Sequence, residues 1–123
     1  MTADRATLSA HLTAFRRSLA GVTDVLAIAG TGLCVAADSP RPPDEIDQLA
    51  ARIHMVNAMA SAAAQLFEGA EVLNTAIQGV GGYLALMKVH DGLLLAALGT
   101  PSCDIGQVVH DLCLLCDHLA ATS

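Results

Sequence analysis

The sequence predicts an α+β domain: an antiparallel five-stranded sheet with helices packed against it, in the order α-β-β-α-β-β-β-α. Three observations carry this. Segments with apolar residues at helical spacing open, divide and close the 123-residue chain. Two groups of short apolar runs lie between them, two runs and then three. Glycine-rich links within each group are short, and short links join antiparallel neighbours. The length fits one domain over residues 1–123.

Leu8, Leu12, Phe15 and Leu19 stand at i, i+4, i+7 and i+11, one stripe of an amphipathic helix. Gly21 occupies a C-cap position. Two strands follow, Val25 to Ala29 and Gly32 to Ala37, split by Gly30-Thr31. The G-x-G here is read as a hairpin turn. A phosphate loop needs a helix N-terminus directly after its glycines, and a second apolar run follows instead. No Lys-Ser/Thr follows either, so a Walker sequence is absent. Pro40, Pro42 and Pro43 close the pair. A long helix then runs from about Asp44 to Phe67, with acids in its first turn that suit the dipole. Three strands come after Gly69: Val72 to Gln78, Tyr83 to Val89 and Leu93 to Leu98. Gly79 to Gly82 separate the first two, and Asp91-Gly92, a strong hairpin pair, the last two. The final helix, about Ser102 to Ala121, aligns Ile105, Val108, Val109, Leu112, Leu115, Cys116 and Leu119 on one face, with Ser102 as its cap.

The second helix is apolar on two sides. At about 100° per residue, Ile46, Leu49, Ile53, Val56, Ala60 and Phe67 form a core stripe. Met55, Met59, Ala62 and Leu66 form another, about 120° or more away. An ordinary surface helix has one such stripe. Either the helix is sandwiched within the domain, or the second stripe is an interface. A short chain has little material to cover a helix twice, and methionine suits adaptable interfaces. Ala58, Ala62 and Ala63 also allow close helix–helix approach across a dimer axis.

Composition removes several functions. The formal charge is −6 and the pI about 5.0, which gives no electrostatic footprint for nucleic acid or an anionic membrane. Phe15, Phe67 and Tyr83 are too few aromatics for a base-stacking platform. Mean hydropathy is +0.53, yet no apolar run reaches the roughly 18–20 residues of a membrane span. The N-terminus lacks a signal-peptide pattern. The expectation is a cytoplasmic protein with Cys34, Cys103, Cys113 and Cys116 as free thiols, whose surplus apolar surface is buried against a partner.

Catalytic and metal-binding patterns are equally weak. His110, Cys113, Cys116 and His118 suggest a metal cluster until they are placed on a helix, where they diverge and cannot share one tetrahedral ion. Asp104, Asp111 and Asp117 share no tight face, and Ser39 and Ser102 lack a recognisable His and Asp set. His54 reads as a surface or interface histidine. No catalytic residue, cofactor or metal is expected, and the chain is not read as an enzyme.

The stretches "LAGVTDVLAIAGTGLCVAADS" (19–39), "IDQLAARIHMVNAMASAAAQLFEG" (46–69) and "GGYLALMKVHDGLLLAALGTPSCDIGQVVHDLCLL" (81–115) together resemble the Roadblock/dynein light chain family, especially its bacterial single-domain branch. Gly82-Tyr83 and Asp104-Ile105-Gly106 are the most specific pieces. Gly30-Thr31-Gly32 departs from the commoner Asp-Gly, without disturbing the turn. The resemblance implies the same element order and a homodimer, or a heterodimer with a related chain, its second helices packed together and its sheets joined edge to edge. It implies a Ras-like small GTPase as partner, often beside a sensor kinase, and a role as activator or as scaffold without effect on hydrolysis. A ligand-binding or enzymatic use of the sheet is a more distant reading. Met55, Met59, Ala62 and Leu66 are then the interface candidates, with Asp44, Glu45 and Asp47 as an acidic rim and Arg41 as the one candidate arginine finger.

Overall fold

The computed structural model describes residues 4–90 and 92–121. The elements are α1 (Arg5–Ser18), β1 (Val22–Ala29), β2 (Cys34–Asp38), α2 (Pro43–Ala64), β3 (Thr75–Gly79), β4 (Gly82–His90), β5 (Leu93–Gly99) and α3 (Ile105–Ala121). The strands form one antiparallel sheet in the order β2-β1-β5-β4-β3, so β1 and β5 pair across the middle although most of the chain separates them. This is the expected α+β architecture and element order.

Strand alternation divides the core in two. On β1, Val25 and Ala27 face one side and Leu26 and Ile28 the other, and all four are fully buried. The first side carries α1, through Leu8, Leu12 and Phe15, and α3, through Val108, Leu112, Cys116 and Leu119. The opposite side carries α2, whose Ala50 and Ile53 pack with Leu26, Ile28, Leu86, Leu94 and Ala96. Two helices cover one face and one covers the other.

Local chemistry sets the ends. Asp4 caps α1, its carboxylate accepting from the Thr7 amide at 2.8 Å. The β1–β2 link is a hairpin loop in which the Ala29 amide donates to the Leu33 carbonyl at 2.8 Å, and Gly32 holds a φ of +92°. Asp104, not Ser102, caps α3, accepting from the Gln107 amide at 3.3 Å, while Ser102 bonds Thr100 instead. Asp91 of the expected Asp91-Gly92 turn lies outside the described residues.

One corner stitches distant parts of the chain together. The Tyr83 ring lies directly over Gly99, where a β-carbon would collide with it. Its hydroxyl donates to Cys103 Sγ at 3.3 Å, and that thiol donates to the Ala20 carbonyl at 3.1 Å. Gly21, at φ +88°, has Cys103 and Thr100 against its open side, and its carbonyl accepts from the Thr100 amide at 2.9 Å.

Ile53 is the main anchor of α2. Ile53→Ala is expected to lower unfolding free energy by about 2–5 kcal/mol in denaturant titration. Gln48→Ala, exposed on the same helix, should stay within about 0.5 kcal/mol.

Candidate functional site

α2 starts where its sequence says it should. Pro42 and Pro43 fix the entry, and Asp44 and Glu45 stand in the first turn near the positive end of the dipole. The start is also tied down from below. Asp24 on β1 is 1% exposed. Its Oδ1 accepts from the Thr23 hydroxyl at 2.6 Å, and its Oδ2 from the Ser39 hydroxyl at 2.5 Å and Arg41 Nε at 2.9 Å. Burial pushes the Asp24 carboxyl up, but the bonds from Ser39, Thr23 and Arg41 and the Arg41 charge outweigh it and hold it below the usual aspartate value. Arg41 is therefore clipped to the sheet rather than a free arm in its proline-rich loop. Midway along the helix, half-buried His54 sets Nε2 3.1 Å from the Gly30 carbonyl and packs against Gly32, fixing α2 over the hairpin turn.

With its inner face committed, α2 leaves its outer face bare. Met55 and Met59 are each 62% exposed and Leu66 84%, and Ala62 beside them is exposed. Met55, Met59 and Ala62 thus lie on an uncovered side of α2, and Leu66 is exposed in the turn that follows it. Phe67 was expected in the core stripe and is not there: it is 72% exposed. The helix ends at Ala64, and a looser turn carries Gln65, Leu66 and Phe67, whose amides bond carbonyls three residues back. That turn rotates Phe67 off the buried side. Gly69 and Ala70, both at positive φ, then reverse the chain.

The bare surface runs further than the helix. Leu73 in the α2–β3 connection, Ile77 on β3 and Val80 in the β3–β4 turn are also exposed. β3 is an edge strand, mostly exposed. A groove of about 430 Å³ joins helix to strand, lined by Ala60, Ala63 and Ala64 on one side and Asn74, Thr75 and Ala76 on the other. Sequence reasoning missed this extension. Val72 and Leu73 read as the start of a strand, but β3 begins only at Thr75. It also missed the Asp24 clip, although an acid inside the apolar run of β1 was a visible signal.

The thiols and histidines do not converge on a chemical site. Cys116 is buried toward the sheet, Cys113 and His110 are exposed, and His118 stacks edge-on against His11 at 5.1 Å. Burial pushes the Cys116 thiol up to about 12 and raises that of Cys34. Among the described residues, no three His, Cys, Asp or Glu come together to hold a metal ion, and no helix is long and apolar enough to cross a membrane.

Residues 8–99 match the Roadblock/LC7 domain family, and the chain belongs to that family. Solved structures share the whole fold. A Roadblock/LC7 domain from Streptomyces avermitilis superposes with a TM-score of 0.84 at 16% identity, over 93% of this chain and 95% of its own. The gliding protein MglB from Thermus thermophilus gives 0.83 at 21%, over 98% and 92%. Myxococcus xanthus MglB gives 0.81 at 16%, over 99% and 91%. No curated protein matches the chain significantly.

The Asp24 clip makes a pH prediction. A carboxylate whose folded pKa is depressed contributes stability above its unfolded value, near 3.8, and loses it as pH falls through the lower folded value. Stability measured from pH 7 to 2.5 should fall steeply below about pH 4. Asp24→Asn should be less stable at pH 7, with a shallower acid limb.

Proposed function

We propose that this chain is a dimeric, non-enzymatic regulator of a Ras-like small GTPase, acting through a surface that exists only when two copies combine. The observation that carries this is the uncovered stripe of Met55, Met59, Ala62 and Leu66 on a helix already packed on its other side. Leaving that much apolar surface in water is unfavourable by about 25 cal/mol per Å², and its position beside an open sheet edge suits a second copy or a related chain. Membership in the Roadblock/LC7 family supports the reading.

A two-fold pair of α2 helices makes a platform wider than one copy offers, large enough for the roughly 800 Å² per partner of a standard interface. Asp44, Glu45 and Asp47, all exposed at the start of α2, rim it with negative charge and steer a basic patch on the GTPase. The regulator places its partner's catalytic groups rather than supplying its own. Arg41 is already engaged by Asp24, so activation proceeds through ordering the GTPase's own residues.

Met59→Glu tests the platform. It sets a charge in the centre of the stripe, and should convert a dimer to a monomer by light scattering at tens of micromolar. Binding to the cognate GTPase, and any acceleration of its GTP turnover, should vanish together. A monomeric variant that binds with unchanged affinity overturns the platform. Wild-type binding without change in turnover would make the protein a scaffold.

A further inference from the structure

We infer that the cavity between the first turn of α1 and the two chain turns at that end of the sheet binds a small aliphatic carboxylate, its tail among Leu8, Leu33, Val35 and Leu93 and its head at Arg5 and His90. The site lies on the sheet face that carries α1, opposite α2, and does not rest on the dimer reading above.

The cavity measures about 470 Å³, within the range of sites that hold small organic molecules. Its walls are tied together before any ligand arrives. The Ala29 amide donates to the Leu33 carbonyl at 2.8 Å, which closes the β1–β2 loop. The Gly30 amide donates to the Gly92 carbonyl at 3.0 Å, which fastens that loop to the β4–β5 turn. Leu8 is buried, Val35 and Leu93 are half-buried, and Leu33 stands 70% exposed. These four are aliphatic, and a flexible alkyl chain laid among them leaves water together with the exposed side of Leu33. That burial is favourable in proportion to the apolar area removed.

Charge selects the head group. The chain has twelve acids against six lysines and arginines, yet no described residue lining the cavity is acidic, and Arg5 lines it. Asp4, next to Arg5 in the chain, is already engaged, its carboxylate accepting from the Thr7 amide at 2.8 Å. His90 adds a second donor of fixed kind. The Gly92 amide donates to its Nδ1 at 3.1 Å, so the neutral ring carries its proton on Nε2. A guanidinium and an imidazole N–H beside an aliphatic slot match a carboxylate on an alkyl tail. An amine would meet Arg5 with like charge, and an alcohol would forgo the charge-assisted bond.

The lining residues come from three separate parts of the chain: the start of α1, the β1–β2 hairpin and the β4–β5 turn. A bound acid therefore bridges all three and favours the folded state, so thermal stability rises with its concentration.

Octanoate is the probe, titrated into the isotope-labelled full chain and followed by NMR, with 1-octanol and octylamine for comparison. Saturable amide shifts should appear at Val35, Gly92 and Leu93, leave Ile53 on the far face unmoved, and fit a Kd of about 0.1–1 mM. 1-Octanol should bind about fivefold more weakly, and octylamine should not saturate. Arg5 and Leu33 are both exposed, so variants there keep the fold, which the unshifted Ile53 amide checks. Arg5→Gln should weaken octanoate about fivefold and leave 1-octanol unchanged, whereas Leu33→Ser should weaken both. Octanoate shifts that stay linear to about 10 mM, or octylamine binding as tightly as octanoate, overturn the site. 1-Octanol binding as tightly as octanoate, or Arg5→Gln without effect on octanoate, overturns the carboxylate assignment.

Discussion

Strands about 4.8 Å apart make a five-stranded sheet roughly 20 Å wide, whereas one helix with its side chains covers only about 10–12 Å. On the first face the sum closes, because α1 and α3 lie side by side over it. On the second face α2 is alone. It lies over the β1–β2 side and leaves Ile77 on β3 half open to water. The bare outer side of α2 and the open flank of β3 both follow from this shortfall in width. A helix that must cover a sheet by itself buries one flank and leaves its outer side and part of the sheet in water.

Such a helix needs firm seating, since nothing stands beside it. The seating is polar at one end and apolar in the middle. At the start, Asp24 gathers Thr23, Ser39 and Arg41 around one buried carboxylate. A lone buried charge would be costly, and three donors offset the loss of water. Along the middle, Ile53 fills the core and His54 meets the Gly30 carbonyl. The outer stripe is thereby held at a fixed angle to the sheet edge.

Much of this was legible in the sequence because it is written in periodicity. The helical stripes of Leu8, Leu12 and Phe15, and of Val108, Leu112 and Leu119, lie buried as their spacing requires. The two-sided character of α2 was equally plain: Met55, Met59 and Ala62 are exposed on the helix, as is Leu66 in the turn after it. What failed was anything set by tertiary context. Phe67 kept helical spacing after the helix itself had ended at Ala64. Val72 and Leu73 are apolar enough for a strand, but pairing begins only where Thr75 meets Leu86. The bonds joining Asp24 to Ser39 and Arg41 span 15 and 17 residues, beyond the reach of any local pattern.

The corner around Tyr83 has a consequence for how the protein breathes. Cys103, just before α3, is bonded to Ala20, just after α1, across 83 residues, and Tyr83 on β4 is bonded to the same sulfur. The segment after α1 and the segment before α3 are fastened at one point, with Gly99 and Gly21 leaving room for the side chains packed there. Neither α1 nor α3 can peel from the sheet without disturbing the seat of the other. Their amides are expected to exchange as one cooperative unit, distinct from α2 on the far face.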